Sequence, residues 1–419
     1  MKRLSAIYKN VKQNNVATNF LNLGSIQVSN MLLAILAMFV VTRTVGLVAF
    51  GLVTSSYRFA LLAGSGINFG TGQSGVRDAT LSRDDPQKLS AVVAATLSIR
   101  LLAFLIFLGC LLVLRFTGLF YSRFVFFSIP VVLAEVVNPL CFYIGVEKLK
   151  TFNVYNLVAN AATLIAIILV VHGAEDALFV NFILGTANVV VYITLLVRFA
   201  SHFKLTLKLP ALNELKQLAK DNFYLTINNA SANLQQSVII FALSEWSTPV
   251  VLGAYSICDR FVGQIRNLLN IVANSIYPKA VILYKAHAEQ WVIYRRKVKR
   301  IFIAIFFAGG IITFIGADFI IYVLSKQHDA TAVLFLRTMA FVPVISVLNT
   351  INTLDQLIKK HNVFIFRIAA LLLLVSTITA IILANSTNFA IIGTFTVIVE
   401  LSACVMYEYI ITKPAIAHE

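Results

Sequence analysis

The sequence has little charge and very little acid. Of 419 residues only 12% are charged, and 18 acidic side chains face 34 basic ones. A soluble domain carries roughly twice that charged fraction, and no hydrophilic stretch here is long enough to fold into one. Cysteine is scarce as well. Cys110, Cys141, Cys258 and Cys404 fall inside apolar runs at no ligand spacing, which excludes a disulfide framework and a zinc site. No GxxxxGK[ST] phrase occurs, so the chain has no nucleotide site of its own, and neither HExxH nor GxSxG is present. No cofactor or metal is expected.

What remains is hydrophobic. Apolar residues make up 59% of the chain, and mean hydropathy is +0.85. Runs of about 20 apolar residues recur, each long enough to cross ~30 Å of hydrocarbon. The reading is an all-α polytopic membrane protein of about twelve transmembrane helices. They are placed near 17–42, 46–72, 91–115, 122–146, 151–172, 177–198, 220–243, 249–275, 300–323, 331–357, 362–384 and 388–411. The opening MKRLSAIYKNVKQNN imitates a secretory signal, but the apolar run after it is too long, so it is read as the first span.

The formal charge of +16 invites a nucleic-acid reading, which the positions of the charges exclude. With these spans, 24 of the 34 basic residues fall on the side of the amino terminus, and only Arg43, Arg115, Arg123 and Lys326 fall on the other. That asymmetry predicts both termini in the cytoplasm.

One stretch organises the rest. Leu47 to Phe59, LVAFGLVTSSYRF, returns 202 residues later as Pro249 to Phe261, PVVLGAYSICDRF. Val48, Gly51, Arg58 and Phe59 match Val250, Gly253, Arg260 and Phe261, and Arg77 matches Lys279. The offset is near half the chain, which predicts an internal duplication. The expected units are a six-helix lobe over 1–199, a basic cytoplasmic linker over 200–219 and a second six-helix lobe over 220–419. Six crossings is an even number, so the lobes would be related by a pseudo-two-fold axis normal to the membrane, with a substrate path between them.

Two segments allow a different reading. Gly70 to Gly75, GTGQSG, satisfies GxGxxG but follows an apolar span rather than a strand, so close helix packing is preferred to a dinucleotide site. Tyr284 to Arg300, YKAHAEQWVIYRRKVKR, mixes aromatics with a basic run and is expected to lie on anionic headgroups, or else to dock a partner.

Ionisable residues inside spans are costly and mark function. Arg58, Arg260, Asp259, Glu135 and Glu400 lie near mid-span, and Arg100 and Arg266 nearer the cytoplasmic side. Asp259 and Arg266 are seven apart on one helical stripe, which allows them to pair. No acid in the second span matches Arg58. Arginine keeps its charge and bonds phosphate bidentately, so equivalent arginines in two halves suit a phosphate-bearing anion. The expected substrate-binding set is Arg58, Arg260, Arg266 and Arg100; the expected ion-coupling or gating set is Asp259, Glu135 and Glu400.

TRTVGLVAFGLVTSSYRFALLAGSGINFGTGQSGVRD, YIGVEKLKTFNVYNLVANAATLIAIILVVHGAEDALFVNFI and VLGAYSICDRFVGQIRNLLNIVANSIYPKAV resemble Wzx-type flippases of the multidrug/oligosaccharidyl-lipid/polysaccharide exporter superfamily. The resemblance implies a flippase that moves undecaprenyl-pyrophosphate-linked glycan repeat units across the bacterial inner membrane for O-antigen or capsule assembly. It implies a cavity walled by spans 1, 2, 7 and 8, with polysaccharide polymerase and other assembly proteins as partners. The first span lacks the carboxylate many drug exporters carry there. A cation-coupled multidrug antiporter and a membrane glycosyltransferase or ligase are the alternatives. The first wants an acid-rich cavity and the second larger outer loops.

Overall fold

The computed structural model describes the backbone of residues 2–118, 122–206, 208–359, 361–386 and 388–412. It describes the side chains there except those of 2–28, 270–275, 277–279, 281–282, 285–286, 288, 362 and 410–412. The described residues are helical with short joints. They form α1 (Lys2–Asn68), α2 (Thr71–Ser82), α3 (Pro86–Phe116), α4 (Arg123–Phe127), α5 (Ile129–Val137), α6 (Leu140–Gly145), α7 (Leu149–Val170) and α8 (Ala177–His202). Then come α9 (Leu212–Trp246), α10 (Pro249–Ala286), α11 (Ala288–Ile315), α12 (Ala317–Ser325), α13 (Ala330–Met339) and α14 (Val342–Ile358). The chain closes with α15 (Asn362–Ala384), α16 (Phe389–Ile392) and α17 (Phe395–Thr412).

Among the described residues, nine helical stretches are long and apolar enough to cross a membrane. The first, Ser29–Asn68, breaks at Gly46, whose φ of 78° no β-carbon would tolerate well. The 35-residue α9 and 38-residue α10 are also long enough to cross, but polar side chains lower their hydropathy. Their lipid-facing neighbours carry an outward apolar surface, seen at Leu169, Ile312, Phe319 and Val405. The chain is a polytopic helical membrane protein, as composition predicts.

Polar residues set the joints. Asp85 caps α3 by accepting from Gln87 and Lys88 N–H, with Pro86 at the first helical position. The Lys88 and Gln87 N–H groups hold its carboxyl below the usual range. Thr248 caps α10 ahead of Pro249, and Asp329 caps α13. The polar connection expected over 200–219 is shorter in the fold, because α8 runs on to His202 and α9 begins at Leu212. Gly70 closes the tight turn from α1 into α2 and the rest of GTGQSG opens α2; a β-carbon on Gly70 would strike Leu225 and Asn222 of α9.

The basic segment after α10 departs from expectation. Rather than forming a separate helix, residues 284–300 end α10 and open α11, which runs on into the bundle, with a break at His287. Trp291 is buried and donates from Nε1 to Asp355 Oδ1 at 2.7 Å. Arg295 and Lys359 each reach Asp355 Oδ2 at 2.8 Å, so a buried carboxylate of α14 draws this face inward.

Two of the residues matched in the sequence meet at a central seam. Gly51 of α1 and Gly253 of α10 meet, and a β-carbon on Gly51 would lie 2.8 Å from Gly253 N. One on Gly253 would lie inside the contact distance of Leu47 O. Phe50, Val53, Tyr255 and Phe335 pack around the seam, fully buried. Gly253→Ala is therefore expected to cost about 1–3 kcal/mol of overpacking and lower the thermal midpoint in detergent by several degrees. Gly263→Ala on the same helix, where a β-carbon meets nothing within 4 Å, is the control. Equal midpoints for the two variants would refute the close seam.

Candidate functional site

Seven residues, or two helical turns, separate Gly51 from Arg58 and Gly253 from Arg260, so the seam aims both arginines into the space beyond it. Arg58 Nη2 donates to Asp259 Oδ2 at 2.6 Å, with both side chains partly buried. The acid missing from Arg58's own span is thus supplied by α10. Arg260, next in sequence, points its guanidinium at two rings of α1, 5.6 Å from the Tyr57 centroid and 5.9 Å from Phe50. Among the described residues Arg260 has neither an ion pair nor a hydrogen bond.

Asp259 and Arg266 do not pair. Arg266 Nη2 instead donates to Glu400 Oε1 of α17. Asn349 of α14 donates from Nδ2 to Glu400 Oε2 at 2.5 Å and to Glu400 O at 2.9 Å. Three helices meet at this one carboxylate, only a tenth of which is exposed.

These groups line one cavity of about 940 Å³. Its wall takes Thr54, Tyr57 and Arg58 from α1, Gln235 and Gln236 from α9, and Arg260, Gln264 and Asn267 from α10. The latter three recur at four and seven residues along one helical face. The expected walls, spans 1, 2, 7 and 8, are all present. The cavity is wider than that, because α7, α8, α14, α15 and α17 also contribute, through residues such as Asn160, Asn188, Asn349, Leu372 and Tyr407. Arginines 58, 260 and 266 face it with only Asp259 and Glu400 as anions among the described lining residues.

Arg100 and Glu135 lie elsewhere. Arg100 is buried and bonds Thr71 Oγ1 at 2.7 Å, Asn138 O at 2.7 Å and Glu135 O at 3.3 Å. The reason is Pro139, which lacks the N–H that would have bonded Glu135 O in an unbroken helix; Arg100 supplies the donor instead. The Glu135 methylene carbons lie against Gly64, and its carboxylate accepts from the Asn68 and Asn138 amides at 3.4 Å. Neither residue is among those lining the cavity.

A search confined to ionisable residues misses the uncharged amides of the wall. Their signal was present: Gln264 and Asn267 share the Arg260 stripe inside an apolar span.

A family model described as "Polysaccharide biosynthesis protein" matches residues 16–284. The chain is 21% identical over 359 residues to a protein of Escherichia coli (strain K12) named "Putative O-antigen transporter", covering 84% of this chain and 86% of that one. Its fold is similar to an inward-facing multidrug resistance MATE family transporter of the MOP superfamily, with a TM-score of 0.71 at 12% identity, over 90% of this chain and 92% of that one. It is also similar to the lipid II flippase MurJ in an inward closed conformation, with a TM-score of 0.69 at 11% identity, over 93% of this chain and 87% of that one.

Proposed function

Since the chain belongs to the polysaccharide biosynthesis protein family, we propose that it is a flippase for undecaprenyl-pyrophosphate-linked oligosaccharide repeat units, working by alternating access in O-antigen or capsule assembly. The observation that carries the reading is Arg260, a cation without an acidic partner among the described residues, in a large cavity walled by helices from both ends of the chain. A polyprenyl tail can remain in lipid, whereas a diphosphate and its sugars need a polar route. A fixed arginine held over aromatic rings attracts phosphate far more strongly in that cleft than in water.

The cavity's excess of arginine over acid speaks against a cation-coupled drug antiporter. Nothing in this reading requires bond chemistry at the substrate; the protein binds, reorients and releases. We assign the substrate contacts to Arg260 and Arg58, with Arg266 held in reserve by Glu400. Arg100, tied to backbone carbonyls, is reassigned to holding the broken α5–α6 segment in place. Of the three acids, Glu400 is the one we assign to ion coupling, because it alone joins a cavity arginine to two further helices. Asp259 keeps Arg58 oriented, and Glu135 stays with the Asn68–Asn138 amides.

We read the bundle as twelve crossings in two six-helix lobes, with both termini in the cytoplasm of a bacterial inner membrane. The interior of the bilayer and the assembly proteins that supply and polymerise the repeat unit are its partners. Loss of the protein from its own host should leave lipid-linked repeat units accumulated on the cytoplasmic leaflet and the cell surface bare of their polymer. Re-expressed single cysteines at Asp84 and Ser386 in a cysteine-free background should label from outside only at Ser386. Normal surface polysaccharide without accumulation would sink the flippase reading, and outside labelling at Asp84 would invert the orientation.

A further inference from the structure

We propose that the glycan this cavity carries is neutral, and that its hydroxyl groups are held by a ring of uncharged amides. The inference rests on the flippase reading above and goes beyond it by naming the class of sugar. Two observations support it.

The first is the balance of charge. Asp259 neutralises Arg58 and Glu400 neutralises Arg266, which leaves Arg260 as the single uncompensated charge among the described lining residues. Each phosphate of a disubstituted pyrophosphate is ionised at neutral pH, so the headgroup more than consumes that one cation. A uronic or other acidic sugar would add a carboxylate with no cation to receive it. Removing such a charge from water without a partner is strongly unfavourable.

The second is the chemistry of the wall. Asn188, Gln235, Gln236, Gln264 and Asn267 face the cavity and, among the described residues, make no hydrogen bond to another protein group. They come from α8, α9 and α10, so they surround the space rather than line one side. An amide offers both a donor and an acceptor, the complement of a sugar hydroxyl, which is also both. Carboxylates would instead call for arginine or lysine. Gln264 and Asn267 lie one and two turns from Arg260 on the same face, so a pyrophosphate at Arg260 places its first sugars beside them.

The test uses the full-length protein in proteoliposomes with two synthetic undecaprenyl-pyrophosphate trisaccharides. They are identical except that one terminal hexose is oxidised to the uronic acid. Translocation of the neutral compound is expected to exceed that of the acidic one by about tenfold or more. Gln264→Lys or Asn267→Lys, each checked for normal folding by gel filtration, is expected to narrow the ratio by adding the missing cation. Equal rates for both compounds in the parental protein, or a ratio unmoved by both lysine variants, would overturn the neutral-glycan inference alone. Translocation of neither compound by folded protein would overturn the flippase reading, and this inference with it.

Discussion

Arg260→Ala is expected to lower translocation of the lipid-linked repeat unit by roughly a hundredfold while the protein still inserts and folds. The expectation follows from what Arg260 is not doing. No carboxylate among the described residues depends on it, and its contacts are the Tyr57 and Phe50 rings. Removing the side chain leaves no charge stranded, so stability should change by no more than the loss of two cation–π contacts, about 1–2 kcal/mol. The substrate phosphate, by contrast, loses its uncompensated cation. Arg260→Lys keeps the charge and loses the planar fork, so it should recover part of the rate. A folded Arg260→Ala protein that exports polysaccharide at the parental rate would assign the residue to packing.

The neighbouring arginine behaves differently for a physical reason. Arg58 is held by Asp259 at 2.6 Å, and alanine there would leave an unpaired carboxylate in a partly buried site. Any defect in that variant mixes lost substrate contact with lost stability. The repeat makes the two positions equivalent in sequence, but the fold gives one a partner and leaves the other open. Arg260 is the cleaner probe.

That contrast also marks what could be read from the chain alone. The matched stretches singled out Gly51, Gly253 and both arginines, but not the fact that the two glycines meet in the fold. Helical spans were legible from apolar runs, whereas their ends, set by caps such as Asp85 and Thr248, and their breaks were not. Nor was pairing. Asp259 and Arg266 share a stripe on one helix, yet each bonds across to another helix, to Arg58 and to Glu400. Spacing within a helix fixes which residues share a face, but not which helix that face meets. Arg100 was placed with the substrate because a buried guanidinium signals a buried anion. Its partners are the Thr71 hydroxyl and two backbone carbonyls, one of them freed by Pro139. The same blindness affected Trp291 and Arg295, whose amphipathic pattern suits a headgroup layer or a buried Asp355 equally well.

Glu400 should divide stability from coupling when it is changed in two ways. Glu400→Ala removes the acceptor of both Arg266 and the Asn349 amide at a site only a tenth exposed. The Arg266 left behind is partly exposed to the cavity, so the main cost is the Asn349 amide stripped of its side-chain acceptor, about 1–3 kcal/mol, and this variant should unfold earlier in detergent than the parent. Glu400→Gln keeps the shape and one carbonyl acceptor, which spares most of the fold, yet it mimics the protonated acid permanently. The chain has no nucleotide motif, so the bias for moving a charged headgroup is expected from an ion gradient or the membrane potential. If that bias acts at Glu400, opening its pair with Arg266 releases the arginine toward the phosphate, and closing the pair recaptures it. Among the described residues, Lys299 and Glu408 near this end of the cavity are paired with each other at 3.0 Å, and Arg266 is the ionic partner of Glu400. Glu400→Gln should therefore bind the lipid-linked substrate while its transport loses dependence on an imposed pH gradient. Binding is to be read from thermal stabilisation by the lipid, and coupling from transport into vesicles with and without the gradient. A Glu400→Gln protein whose transport still follows the gradient as the parent does would remove Glu400 from the coupling step and leave it a structural pair with Arg266.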